Sequence, residues 1–377
     1  MDSIKPNLGT PAFRPAPSPP PTLPAGANRS GSLNIVDEFT PQGLPSSPGL
    51  IPPPHGLKVE GSARETGYQG PINQLPIQDN PVLGNQRMAE MEMRFAPQTP
   101  EQTRASLDSY VQNQSMALML SAGAELQHQT QGGTRDAVTN FSFGAGASNA
   151  AGNLYDRARL AWTPPGPNEP GADDPMRMGA TQLTQNLAGA FGVSQADLMS
   201  NDPAVSGPAR TQFQQRLVES TTHSANSPQV QQFHQGYSEV VQRYEAQNNS
   251  VVISAGNEGD LLQRMQADNG GTAIQAPAGF YRSALATSET TVVGAASFGE
   301  DGKPRVAGYS NNGDRVSVLG FGLAPDGQPG TSFAAPRVAA VMQQIHRTNP
   351  GMSSEAVERM MLRNFTAPVE GTHLLTM

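Results

Sequence analysis

The chain has 377 residues, with 24 Lys and Arg against 32 Asp and Glu, a formal charge of −8, 34 prolines and no cysteine. The acidic balance, with no block of basic residues, excludes nucleic acid and anionic membrane surfaces as partners, because phosphate contacts need concentrated positive charge. The missing thiols exclude disulfides, Cys-ligated zinc and a thiol nucleophile together, and no apolar run is long enough to span a membrane.

In chain order, residues 1–31 are dense in proline and read as a disordered, polyproline-like tail. They contain no apolar core of a secretory signal, so the expected location is cytoplasmic, or exported by a route that uses no cleaved signal peptide. Leu33-Asn34-Ile35-Val36 is a short apolar run ending at Asp37, the pattern of a buried parallel strand. A Pro/Gly-rich loop leads to His55-Gly56, and the following residues to Thr66 favour a helix, with Val59 and Ala63 on one face and Gly67 as its stop. Residues 71–98 read as irregular. A helix is expected from about Glu101 to Gln127, burying Leu107, Tyr110, Val111, Leu118 and Met119 or their neighbours, and Ala137–Phe143 is the next strand.

Residues 145–227 read as an insertion with several short helices; it carries the only tryptophan, Trp162, and an acidic turn at Asp173-Asp174. Ser227-Pro228 then opens an amphipathic helix whose stripe is Val230, Phe233, Tyr237, Val240, Val241 and Tyr244. Ser250–Ser254, Thr290–Ala296 and Arg315–Leu319 are strands, and a helix follows from Ser332 to His346 with Pro336 in its first turn. Strands alternating with helices predict a doubly wound, mostly parallel α/β sheet with helices on both faces, spanning residues 32–377. In such sheets ligands bind beyond the carboxyl ends of the strands, where Asp37, Ser142 and Asn257 fall.

The stretch Gly330-Thr331-Ser332-Phe333-Ala334-Ala335-Pro336 places a hydroxyl at a helix N-terminus, where unpaired N–H groups and the macrodipole favour negative charge. An ordinary N-cap uses the same residue types, but the full heptapeptide resembles the nucleophile motif of the subtilisin-like serine proteases, the subtilases. A serine hydroxyl needs a base, and the base needs a carboxylate. Of the six histidines, only His55 opens a helix and precedes a small residue. His55-Gly56-Leu57-Lys58-Val59 is similar to the subtilase H-G-T-x-V segment, with Leu57 in place of threonine.

Asp37 is the matching carboxylate, in the order Asp, His, Ser of that family. Asp37-Glu38-Phe39 departs from the family's D-T-G or D-S-G, and Glu38 is a competing carboxylate that alternates to the other face of the strand.

Ser254-Ala255-Gly256-Asn257 resembles the S-A-G-N segment, whose Asn donates to the oxyanion. Asn140-Phe141-Ser142-Phe143-Gly144 resembles the N-x-S-x-G strand that lines the substrate cleft, which implies substrate contacts at Ser142, Phe143, Gly144 and Gly256. Tyr309-Ser310-Asn311-Asn312-Gly313 resembles the F-S-N-x-G turn. The likeness covers roughly residues 33–67, 100–144 and 228–348.

The resemblance implies a serine endopeptidase acting on protein or peptide substrates through an acyl-enzyme, with Asp37, His55 and Ser332 as triad. A non-catalytic peptide-binding protein keeping the same cleft, and an esterase or ligase using the same acyl-enzyme, stay open as alternatives. No cofactor is required by this chemistry. Structural calcium, common in the family, is not supported by any motif here, and the oligomeric state is not fixed by the sequence. The residues ahead of the first strand are too few and too proline-rich for the folded prodomain of secreted subtilases, which implies unaided folding, occlusion by the tail or insertion, or a prodomain removed beforehand.

Overall fold

The computed structural model describes residues 30–39, 54–77, 81–144, 146–164, 174–313 and 315–376. Most of the proline-rich tail, the loop before His55, the 165–167 prolines and Asp173 lie outside them. The elements run β1 (Leu33–Asp37), α1 (His55–Arg64), β2 (Ile72–Pro76), α2 (Pro81–Phe95), α3 (Pro100–Gln131), β3 (Val138–Phe141), α4 (Ala147–Arg159), α5 (Pro175–Phe191), α6 (Gln195–Leu198), α7 (Pro203–Ala225) and α8 (Pro228–Glu245). They continue with β4 (Ser250–Ser254), α9 (Leu261–Asp268), β5 (Thr291–Phe298), β6 (Pro304–Val306), β7 (Val318–Phe321), α10 (Thr331–Thr348), α11 (Ser354–Asn364), β8 (Thr366–Val369) and β9 (Thr372–Leu375).

Among the described residues one sheet forms, in the order β2-β1-β3-β4-β5-β7-β9-β8, with β6 paired to β5. The pairs β1–β2, β1–β3, β3–β4, β4–β5, β5–β7 and β7–β9 are parallel. The mostly parallel α/β architecture read from the sequence is the one observed. The chain steps from β1 outward to β2 and then back to β3 on the other side. The carboxyl ends of β1, β3 and β4 therefore open beside a point where the winding reverses.

The central strands β1, β3 and β4 are buried on both sides, so their side chains sort by the period of two. Leu33, Ile35, Val138, Val252 and Val293 pack with Val59 of α1, Phe333, Val338 and Ile345 of α10 and Val357 of α11. Val36, Phe141, Val251 and Ile253 face the other way, onto Met119 and Leu126 of α3 and Tyr237, Val241 and Tyr244 of α8. A third apolar cluster lies among helices: Met93, Tyr155, Leu183, Leu187, Phe213 and Leu217 of α2, α4, α5 and α7. Helix starts repeat one device. Asp174-Pro175, Asp202-Pro203 and Ser227-Pro228 each put an accepting side chain at the N-cap and proline at the first helical position. Thr99 and Gln102 form a reciprocal capping box at the start of α3.

Several expectations change. Residues 71–98 are not irregular throughout. Ile72–Pro76 is an edge strand paired with β1, and α2 buries Ala89 and Met93, four residues apart. The helices of 145–227 are mostly not short: α4 has 13 residues, α5 has 17 and α7 has 23. Pro208 sits inside α7, and prolines of this kind mask a helical period in the sequence. Leu118 is only half-buried. Pro336 lies in the second turn of α10, because the helix begins at Thr331. There it cannot donate to the Ser332 carbonyl. No helix among the described residues is long and apolar enough to cross a membrane.

Candidate active site

Three elements converge at the carboxyl end of the sheet. β1 delivers Asp37, α1 begins with His55, and α10 carries Ser332 at its second position, after Thr331. The residue just after β1 and the first turn of α1 are tied by the Gly56 N–H donating to the Glu38 carbonyl at 3.0 Å. Gly56 has no room for a side chain, since a Cβ there would lie 2.6 Å from the Phe39 ring. His55 is held from the other side by Phe333, with ring centroids 5.3 Å apart.

These contacts line up a hydrogen-bonded relay. His55 Nδ1 is 2.7 Å from Asp37 Oδ1, and His55 Nε2 is 3.0 Å from Ser332 Oγ. A carboxylate only accepts, so Nδ1 carries the proton of the neutral ring and Nε2 is free to accept from the serine hydroxyl. Asp37 is 2% exposed, and its Oδ1 also accepts the Glu38 N–H at 2.6 Å. Its Oδ2 is buried without a partner among the described residues. The Glu38 carboxylate is exposed, so of the two acids Asp37 is the one that meets the imidazole. Ser332 is 8% exposed and sits in the positive end of α10, its N–H unpaired among the described residues.

Asn257 follows β4 and reaches the same place. Its Oδ1 accepts from the Thr331 N–H at 2.8 Å and from Thr331 Oγ1 at 2.9 Å. A backbone N–H can only donate, so the oxygen of the amide faces Thr331 and Nδ2 is the end left over, on an exposed side chain. The turn itself is stapled by Asn311. Its Nδ2 donates to the Ala255 carbonyl at 3.0 Å, and its Oδ1 accepts the Glu258 N–H at 3.0 Å. Gly256 is required here, with φ of +104° and no space for a Cβ beside the Asn311 amide.

Of the expected substrate-facing residues, Ser142, Phe143 and Gly144 continue past the end of β3 outside its ladder. Ser142 is buried, its Oγ accepting from Asn140 Nδ2 at 2.7 Å, and Phe143 is half-buried edge-on to Phe141, 5.8 Å away. Gly144 and Gly256 face one another. The structure thus brings all eight residues to one end of the sheet.

Thr331, Asn311, Glu258 and Phe39 were not singled out one by one from the sequence. Thr331 and Asn311 lay inside motifs that were, but their partners are 74 and 53 residues away, so no local pattern names them. Among the described residues no cluster of three or more His, Asp or Glu side chains suited to a metal ion occurs.

The Subtilase family model matches residues 207–375. No curated protein matches the chain. Among solved structures, a cold adapted subtilisin-like serine proteinase is similar at 12% identity, covering 93% of this chain and 91% of its own, with a TM-score of 0.38. A lanthipeptide protease is similar at 11% identity, covering 89% and 82%, with a TM-score of 0.38. The nisin leader peptidase NisP from Lactococcus lactis is similar at 12% identity, covering 93% and 86%, with a TM-score of 0.39. The family match starts downstream of Asp37 and His55, which tertiary structure alone carries to Ser332. Over residues 207–375, the segment holding Asn257 and Ser332, this chain is similar to the Subtilase family.

Proposed function

We propose that this protein is a serine endopeptidase with Asp37, His55 and Ser332 as its catalytic triad and Asn257 as oxyanion donor. One observation carries the reading: the unbroken relay from Asp37 Oδ1 through both nitrogens of His55 to Ser332 Oγ. In the first step His55 Nε2 takes the hydroxyl proton as Oγ attacks the peptide carbonyl, and the carbonyl oxygen becomes an oxyanion. Asn257 Nδ2 and the Ser332 N–H meet that charge, and Thr331 fixes the amide so that it need not reorient during the reaction. Asp37 stabilises the imidazolium and holds its tautomer.

The imidazolium then gives its proton to the departing amine, leaving an acyl-serine. A water, deprotonated by the same nitrogen, hydrolyses the ester and restores the hydroxyl. The chemistry as written uses no cofactor.

Incubation with a fluorophosphonate tests the reading. The folded full-length chain should be modified at Ser332, and Ser332→Ala should abolish the modification. A folded wild-type protein that stays unmodified, with its cleft free, sinks the proposal. It would favour a peptide-binding protein instead.

A further inference from the structure

The geometry points to a cleft that admits only small side chains, glycine or alanine, on the residue whose carbonyl is attacked; this rests on the acyl-transfer reading above. The carbon bearing that side chain is bonded to the scissile carbonyl, which must lie between Ser332 Oγ and the Asn257 amide. Its side chain therefore meets the backbone just before Asn257, at Ala255-Gly256, and the neighbouring strand end, Ser142–Gly144.

These two walls touch. A Cβ built on Gly144 would lie 3.4 Å from the Gly256 α-carbon. The two α-carbons are then about 5 Å apart, the spacing of adjacent strands with nothing between them. A flat ring needs roughly 3.5–4 Å from the backbone on each face, so its walls must stand about 7 Å apart. A branched aliphatic side chain is no thinner. A hydrogen or a methyl group fits at the rim.

The wall is also fixed. The Gly256 N–H donates to Thr331 Oγ1 at 3.2 Å, and its carbonyl accepts the Asn311 N–H at 3.0 Å. Asn311 is 3% exposed, so withdrawing the wall would unpair buried polar groups. The space behind is occupied as well. Asn311 Nδ2 donates to Glu258 Oε2 and to Ser148 Oγ, each at 3.2 Å. The Glu258 carboxylate offers no ready seat for a long cationic side chain. Its Oε1 accepts from Asn149 Nδ2 at 2.9 Å, and its Oε2 also accepts the Asn257 N–H at 3.1 Å.

The test is a series of peptidyl diphenyl phosphonates identical except at that position, carrying Ala, Leu, Phe or Lys side chains, reacted with the full chain. Mass spectrometry follows modification of Ser332, and a simple alkyl fluorophosphonate without such a side chain is the reference. The Ala reagent should react fastest, with Leu, Phe and Lys slower by roughly tenfold to a hundredfold, the scale of forcing volume into a packed wall. A Leu, Phe or Lys reagent matching or exceeding Ala overturns the inference and leaves the reaction class standing. Failure of every reagent to modify Ser332, the fluorophosphonate included, overturns the acyl-transfer reading and this inference with it.

Discussion

The molecule has two halves of different construction. The sheet with α1, α3, α8 and α10 is sandwiched, and its central strands β1, β3 and β4 are covered by helices on both faces. The block of α2, α4, α5 and α7 has no strand and packs around Tyr155, Leu187 and Phe213. The relay belongs wholly to the first. Among the described residues the block reaches the site through Ser148 and Asn149 at the start of α4, which contact Glu258. The difference teaches how rigidity is supplied: the three residues of the relay stand on elements whose ends the sheet aligns, while the block braces the turn behind them.

That comparison can be broken most severely at the relay. His55→Ala should lower kcat as far as Ser332→Ala does, by about 10⁶, because triad members act as a unit. Asp37→Asn should cost about 10⁴ by favouring the wrong tautomer, and thermal unfolding should stay near the wild-type midpoint if the loss is chemical. Peptidase assays on purified variants check both, and an Asp37→Asn protein with normal rates would exclude it as the orienting group. Asn257→Ala should cost roughly 10² to 10³ in kcat with KM little changed, the scale of losing one oxyanion donor. A loss confined to KM would place Asn257 in substrate binding alone.

In the helical block the expectation inverts. Phe213 is fully buried, edge-on to Trp162 at 5.7 Å and Phe191 at 5.5 Å. Phe213→Ala should cost about 3–5 kcal/mol in stability, yet kcat at a temperature where the protein stays folded should hold within a few-fold. A collapse of kcat there would show the block to be part of the machinery.

The smallest expected effect is on the pH dependence of stability. Burial holds His346 down to about 4, with Asp136 opposing weakly, and its ring is fully enclosed, sharing a 3.0 Å contact between Nε2 and Ser250 Oγ. Between the unfolded value near 6.5 and about 4, the unfolded chain binds the extra proton. Stability therefore falls as pH drops through that window, by roughly 3 kcal/mol. Glu245, pushed up to about 8 chiefly by its burial, slopes the other way, losing stability as pH rises from about 4.5 to 8. Comparing melting curves of wild type and His346→Gln across pH 4 to 6.5 isolates the histidine. Identical slopes would remove it as the source.

The sequence made legible what local periodicity and motif encode. Ser250–Ser254 is a strand because its apolar run is buried on both faces. The stripe from Val230 to Tyr244 is a helix because only one side of it meets the sheet. The segments around Ser332 and Asn257 were readable because each is a short stretch whose backbone shape is set by its own residues. The strand at 72–76 and the helices α9 and α11 escaped notice. Their apolar positions are few, and they gain regular structure by packing on elements distant in the chain.

What the sequence determined alone was the alphabet of the site: a hydroxyl opening a helix, an imidazole opening another, a carboxylate closing a strand. Which acid faces the imidazole, Asp37 or Glu38, was decided by the twist and register of β1 against β2 and β3. That the Asn257 amide presents its nitrogen, and that Gly144 rests against Gly256, were decided by contacts from Thr331 and Asn311. Such contacts depend on closing loops of many residues. Their geometry is fixed only when the whole sheet has formed, and no short window of sequence can hold it.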